Sequence, residues 1–498
     1  MSFHRGYFSG SRRPARGSRS QAGAWPRPHV SSLPSPPKGE LLEKVKWDQL
    51  QSDTVASLPD GPIGINHVAV IASYNWVGQD RPTIMIPGLI GKPALWTPLD
   101  TPKQLTQDDS NRETYYVDPN AAYASKHALD PEVTAIMKME PTCLKKPELV
   151  ACGSTLGHLL RFAFKSDRPF RMLVQTVGST VHLVRRLNSS TETIDDIKGY
   201  GHSFPNAYTT WEPEVKQSKS HQRVMRYQLG GLSTLIRYEG DGYISDTQRV
   251  MAKSKETGGD LWELFDEFHV GSGDKAYRRK DDELQIEDGG EEVAQKTIFD
   301  LKTRSRMSAA GRDTLGEETP RLWVRQIEKF ILAFHNRGVF TDIQELDTRK
   351  RIDDWEKENQ EGLKRFMRCL HWVIDNATSK ERYASEFELV CDGSDTLELR
   401  EKLADAGDPL SEEVKQKWKD WLGETDQPLR GSRASPRRVG GSDWEKHGDT
   451  ASSDDDDHYI ASEHHEYDSP YEDDWAFEDD KDLTACDKEC GYCGKCPY

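Results

Sequence analysis

Four runs of β-branched and aromatic residues restrict the fold most: INHVAVIASYNWV from Ile65, TIMIPGL from Thr83, RMLVQTVGSTVHLVRR from Arg171 and LSTLIRYEGDGYI from Leu232. Side chains of this kind suit a pleated, half-buried surface, so each run reads as strand. Helices are expected between them. RLWVRQIEKFILAFHNR sets Leu322, Ile327, Phe330, Ile331 and Phe334 at near-helical spacings, which predicts an amphipathic helix ended by Gly338. VFTDIQELDT then reads as a strand and EGLKRFMRCLHWVIDNA as a second helix. The predicted class is α+β, a mixed β-sheet with flanking helices.

Composition divides the 498 residues into four parts. Residues 1–45 are rich in Arg, Ser, Gly and Pro, too polar and too broken to bury a core, and read as a disordered basic arm. Residues 46–405 carry the apolar runs and read as one folded body, interrupted near 253–296 by Gly pairs and charge that suggest an insertion between two strands. Its WELFDEF start has the pattern of a short helix. Residues 406–482 read as a polar, acidic linker, and 483–498 as a cysteine knuckle. No stretch approaches the roughly 18 apolar residues of a membrane span, so no membrane partner is expected.

The net charge of −17 argues against a polyanionic ligand, since neutralised phosphates supply much of nucleic-acid affinity. Its distribution removes the objection. Residues 454–482 are densely acidic and the first 39 residues contain neither Asp nor Glu, so an acidic tail can carry the imbalance while a cleft stays basic. That tail also suits a protein partner.

The residues that carry chemistry lie in three elements: RYEGDGYI, TIFDLKTRS and RLWVRQIEKF. Glu239 and Asp241 are two apart and share a strand face, as do Asp300 and Lys302. Charges on the inward face of apolar strands are costly unless paired or metal-bound. Two carboxylates beside a lysine supply the parts for metal-assisted phosphodiester hydrolysis, with the solvated-surface reading as the alternative. Arg185 and Arg186 end a strand and could line a phosphate channel. His202, His221, Trp211, Trp323 and Trp372 read as structural or core residues.

Strand EGD, strand DLK and a following helix with a glutamine resemble the layout of the PD-(D/E)xK nucleases, and in particular of the DXO-type RNA decapping exonucleases, over residues 145 to 350. That resemblance implies Mg²⁺ or Mn²⁺ at Asp241 and Asp300, a metal-bound water held by Glu239, an attacking water placed by Lys302, and help from Gln326. The substrate would be an RNA 5′ end. Two positions depart from the family pattern. A further metal-binding glutamate is replaced near GYGHSFPNAYTT, where Asn206 could offer a carbonyl but no charge, and the family's arginine near LVACGSTLGHLLRF is represented by a displaced Arg161. The alternative is a catalytically weakened pseudoenzyme that binds RNA or a partner nuclease. Nucleus or cytoplasm is the expected location, with mitochondrial import as the other reading of the arm.

Cys486, Cys490, Cys493 and Cys496 close the chain at a spacing that suits four thiolates on one Zn²⁺, with an iron–sulfur cluster as the alternative. Cys143, Cys152, Cys369 and Cys391 lie in apolar text and read as small buried hydrophobes. Prenyl diphosphate synthesis would need DDxxD motifs on helices of an all-α fold, which the strand-rich body contradicts.

Overall fold

The structure, a computed structural model, describes residues 34–245, 283–306 and 313–424, apart from residues 54, 80, 87–91, 111, 125, 166–167, 195–196, 198, 290–292 and 380–385. The WELFDEF segment and the four C-terminal cysteines lie outside the described residues.

In chain order the strands are β1 (Leu41–Lys46), β2 (Ile65–Val77), β3 (Thr83–Ile86), β4 (Leu95–Trp96), β5 (Leu149–Cys152), β6 (Pro169–Val177), β7 (Thr180–Arg185), β8 (Thr209–Thr210) and β9 (Ser218–Leu229). They continue as β10 (Leu232–Gly240), β11 (Gly242–Tyr243), β12 (Gln285–Asp288), β13 (Ile298–Ser305), β14 (Lys329–Asn336), β15 (Val339–Asp347), β16 (Glu386–Asp392) and β17 (Thr396–Glu401). The helices are α1 (Pro119–Tyr123), α2 (Asp130–Met139), α3 (Gly153–Ala163), α4 (Ser203–Tyr208), α5 (Thr314–Arg325), α6 (Arg349–Glu358), α7 (Gln360–Thr378) and α8 (Glu412–Trp421).

Two mixed sheets form. The larger has eleven strands in the order β1-β17-β16-β6-β7-β5-β10-β9-β2-β3-β12, and the smaller has six in the order β15-β14-β13-β11-β4-β8. Both faces of the larger sheet are covered. Leu156, Leu159, Leu322, Trp323, Leu363 and Phe366 of α3, α5 and α7 pack on one face with Ile236 and Tyr238. Val133 and Ile136 of α2 and Trp418 of α8 pack on the other with Leu235. The alternation along β10 is therefore a division between two cores. Trp323 and Trp372 belong to the first core.

The α+β class, the strands at Ile65, Thr83, Arg171, Leu232 and Val339, and the helix at Gln360 agree with the sequence reading. The helix expected from Arg321 to Arg337 does not form as such. It starts earlier, where the Asp313 side chain accepts from Gly316 N, and stops at Arg325, after which residues 329–336 are the strand β14. The reason is that β14 is buried on both faces: Phe330 and Leu332 enter one core, Ile331 and Ala333 another. A run apolar on both sides cannot be told from a helix by periodicity. Gly338, at φ 88°, makes the β14–β15 turn instead of ending a helix.

The folded part also reaches beyond 46–405. β1 pairs with β17 from Leu41, and α8 buries Trp418 fully against the larger sheet, in a stretch whose polar composition reads as linker. Within the expected insertion, β12 adds a parallel edge strand to β3.

Candidate functional site

The site lies where the chain passes from one sheet to the other. Gly240 closes β10 in the larger sheet, Gly242 opens β11 in the smaller, and Asp241 is the residue between them. β11 pairs with β13 through Gly242 and Phe299, which brings Asp241 alongside Asp300. Gly242 is required there, because a Cβ would stand 2.7 Å from Ala94 O and 2.5 Å from the Phe299 ring.

Asp241 and Asp300 meet on one backbone amide. Leu301 N donates to Asp241 Oδ2 at 2.7 Å and to Asp300 Oδ1 at 2.8 Å. Along β13, Phe299 and Leu301 face the core that holds Trp96, Phe204 and Tyr208, so Asp300 and Lys302 project to the opposite side, toward α5. Both are nearly without solvent contact, at 1% exposure each.

What meets them there is cationic. Arg321 Nη2 donates to Asp300 Oδ1 at 3.0 Å, and Arg325 Nη1 donates to Asp300 Oδ2 at 2.8 Å. Lys302 Nζ lies 3.3 Å from Glu318 Oε1, and Glu318 Oε2 lies 2.9 Å from Arg321 Nη2. Arg304 adds longer contacts to Glu317 and Glu318. Burial pushes the Asp300 carboxyl up, but the Arg321 and Arg325 guanidiniums and a hydrogen bond with Asp241 outweigh it and hold the group below the usual carboxylate range. Burial, together with Arg321, lowers Arg325 despite the Asp300 charge. A guanidinium starts so high that it stays protonated at neutral pH.

The first turn of α3 closes the site from another side. A Cβ on Gly153 would stand 3.3 Å from Arg325 Nε and 3.8 Å from Tyr238 Cβ, so glycine allows the approach. Tyr238 and Gln295 exchange hydrogen bonds at 2.8 to 3.0 Å, and Gln295 Nε2 donates to Gln326 O at 2.9 Å. His221 is cross-strand from Gly240 and bonds through Nδ1 to Asn75 Oδ1 at 2.7 Å. Burial and Arg223 hold it well below the ordinary histidine value, so it stays neutral.

Of the other residues singled out in the sequence, Asn206, Arg161, Arg185 and Arg186 are placed elsewhere. Glu239 is half-buried on the face of β10 that carries Leu235 and Arg237, opposite Tyr238. Gln326 is the αL cap of α5, φ 53°, and its amide donates to Trp323 O at 2.6 Å. Asn206 is exposed on α4, whose Phe204 and Tyr208 pack on the Phe299 and Leu301 side, the wrong face of β13 to join Asp300. Arg161 Nη2 contacts His158 Nδ1 at 2.6 Å, eight residues along α3 from Gly153, about 12 Å by helical rise. Burial, reinforced by Arg161 and Arg185, holds His158 well below the ordinary histidine value, while Arg186 Nη2 reaches Asp405 at 3.4 Å. His202 packs on Tyr115 with the rings tilted by 31°, and Trp211 is half-buried. Cys369 and Cys391 are buried as expected, whereas Cys143 and Cys152 are half-buried. Cys152 Sγ lies 3.0 Å from Ser154 Oγ at the start of α3.

Sequence reading missed Glu318, Arg321 and Arg325. Their spacing of three and four puts them on one face of α5, a signal hidden because the helix was expected to begin at Arg321.

Among the described residues, no set of three or more His, Cys, Asp or Glu side chains is arranged to hold a metal ion. The donor set at Asp300 does not fit a divalent cation as it stands. Both Asp300 oxygens are engaged by guanidiniums, and Glu317 and Glu318 lie against Lys302, Arg304 and Arg321.

A family model described as "Domain of unknown function (DUF8563)" matches residues 45–386. The chain belongs to the DUF8563 family. No curated protein matches it. The fold of this DUF8563 chain is similar to solved structures at low identity. S. pombe Rai1 is 12% identical, with 72% of this chain and 99% of that one covered and a TM-score of 0.45. Candida albicans Rai1 in complex with pU5-Mn²⁺ is 12% identical, with 74% and 98% covered and a TM-score of 0.45. K. lactis Dxo1 in complex with manganese is 10% identical, with 72% and 98% covered and a TM-score of 0.43. Among the described residues no helix is long and apolar enough to cross a membrane.

Proposed function

We propose that this chain is an RNA 5′-end-binding protein built on a nuclease-type scaffold, with phosphate contacted by guanidinium groups at the Asp241–Asp300 centre. The observation that carries the reading is the double engagement of Asp300 by Arg321 and Arg325 at 3.0 and 2.8 Å. Arg321, 17% exposed at its side chain, is the more accessible of the two. A guanidinium presents its donors in a planar fork that matches phosphate oxygens. The RNA part of the reading rests on the order of the EGD and DLK motifs in the sequence. The test is fluorescence anisotropy with one labelled RNA carrying a 5′ triphosphate, monophosphate or hydroxyl. The phosphorylated ends should bind more tightly, and Arg321→Ala should remove that preference. Equal binding of the three ends would overturn the reading.

Metal-dependent hydrolysis of RNA 5′ ends is the second reading, favoured by the convergence of Asp241 and Asp300 on the Leu301 amide with Lys302 on the same strand face. Release of cap or nucleotide from 5′-modified RNA with Mg²⁺ or Mn²⁺, lost in Asp300→Asn, would establish it. Zn²⁺ at Cys486, Cys490, Cys493 and Cys496, and a protein partner on the acidic tail, are part of the same proposal and are read by metal analysis of the purified chain and by its co-purification partners.

A further inference from the structure

The arginines do more than pair with Asp300. We infer that Arg321 and Arg325 supply, from the protein, the two positive charges that a divalent cation would bring to Asp241 and Asp300, and that they exclude such a cation from the site. This concerns the same centre as the RNA reading but makes no use of RNA.

Three observations carry it. Charge is the first: two guanidiniums, one charge each, match a dication, and both Asp300 oxygens are already bonded to them. A cation entering beside two buried guanidiniums meets repulsion in a medium that screens poorly.

Architecture is the second. Arg321 is held by Glu318 on its own helix, and Arg325 packs closely against the first turn of α3 at Gly153. The cations are built in, and swinging them aside would leave Asp300 buried and unpaired.

Geometry is the third. Asn206, which would help to complete a cation shell, sits on the other side of β13 from Asp300. A hard cation needs about six oxygen donors, and both oxygens of Asp300 are already taken by guanidiniums.

The test is calorimetric titration of the whole chain with Mn²⁺ alone, for the wild type, Arg321→Gln/Arg325→Gln, and that pair combined with Asp300→Asn. Wild type should show no isotherm that Asp300→Asn removes. The double variant keeps hydrogen-bond donors but loses both charges, and should bind Mn²⁺ at least about tenfold more tightly than wild type. Added Asp300→Asn should abolish the gain. A wild-type isotherm lost in Asp300→Asn would overturn the inference, as would a double variant that folds and still binds nothing. If the double variant does not fold, Arg321→Gln alone, at the more accessible guanidinium, reads the same titration in the same way. RNA binding can fail while these results hold, so the two readings fall separately.

Discussion

Arg325 donates from Nη1 to Oδ2 of Asp300 at 2.8 Å, with the arginine 2% and the aspartate 1% exposed. A pair so removed from water stands only because each partner compensates the other. Asp300→Asn breaks that compensation, leaving two guanidiniums against a neutral amide. The expected cost is about 3–5 kcal/mol of folding stability, the range for removing one partner of a buried pair, read from urea unfolding. A loss under about 1 kcal/mol, the range of exposed pairs, would show that the pair is solvated in solution.

Gln326 sits in the left-handed region as the cap of α5, a position that favours glycine. Gln326→Gly should leave stability unchanged or raise it by up to about 1 kcal/mol, and should not alter RNA binding. Loss of 5′-end preference in this variant, with stability intact, would return Gln326 to the site.

Gly242 carries the crossing between sheets under the Phe299 ring and against Ala94 O. Gly242→Ala forces either the ring or the backbone to move, and overpacking of this kind costs about 1–3 kcal/mol. Its thermal midpoint should fall, and because Asp241 is the preceding residue, 5′-end binding should weaken with it. A wild-type midpoint would mean that the crossing adapts freely.

Asp108 accepts from His202 N and Ser203 N at 2.9 Å each, anchoring the start of α4. Burial pushes its carboxyl up to about 7 despite those bonds. An acid whose folded value is raised binds protons more readily folded than unfolded, so its contribution is full below about 3.9, the unfolded value, and is lost as pH rises through about 7. Between those limits stability should decline with pH, and Asp108→Asn should flatten the decline. The slope of unfolding free energy against pH is the readout, and an unchanged slope would rule Asp108 out as its source.

The sequence by itself determined the strands β2, β3, β6, β7 and β10 of the larger sheet, the helix from Gln360, and the carboxylates Asp241 and Asp300 as neighbours, because alternation and motif order are local properties of the chain. It did not show that the run after Gln326 is a strand, since a segment apolar on both faces carries no period that separates it from a helix. It could not show that α8 folds back on the core, where Trp418 is buried within a polar stretch. Above all, it did not reveal what faces Asp300. Arg321 and Arg325 lie on α5, beyond β13 in the chain, and only the packing of that helix across the sheet decides that guanidiniums, and not Gln326, meet the carboxylate. Charge pairing across elements depends on tertiary contact, which no local spacing encodes.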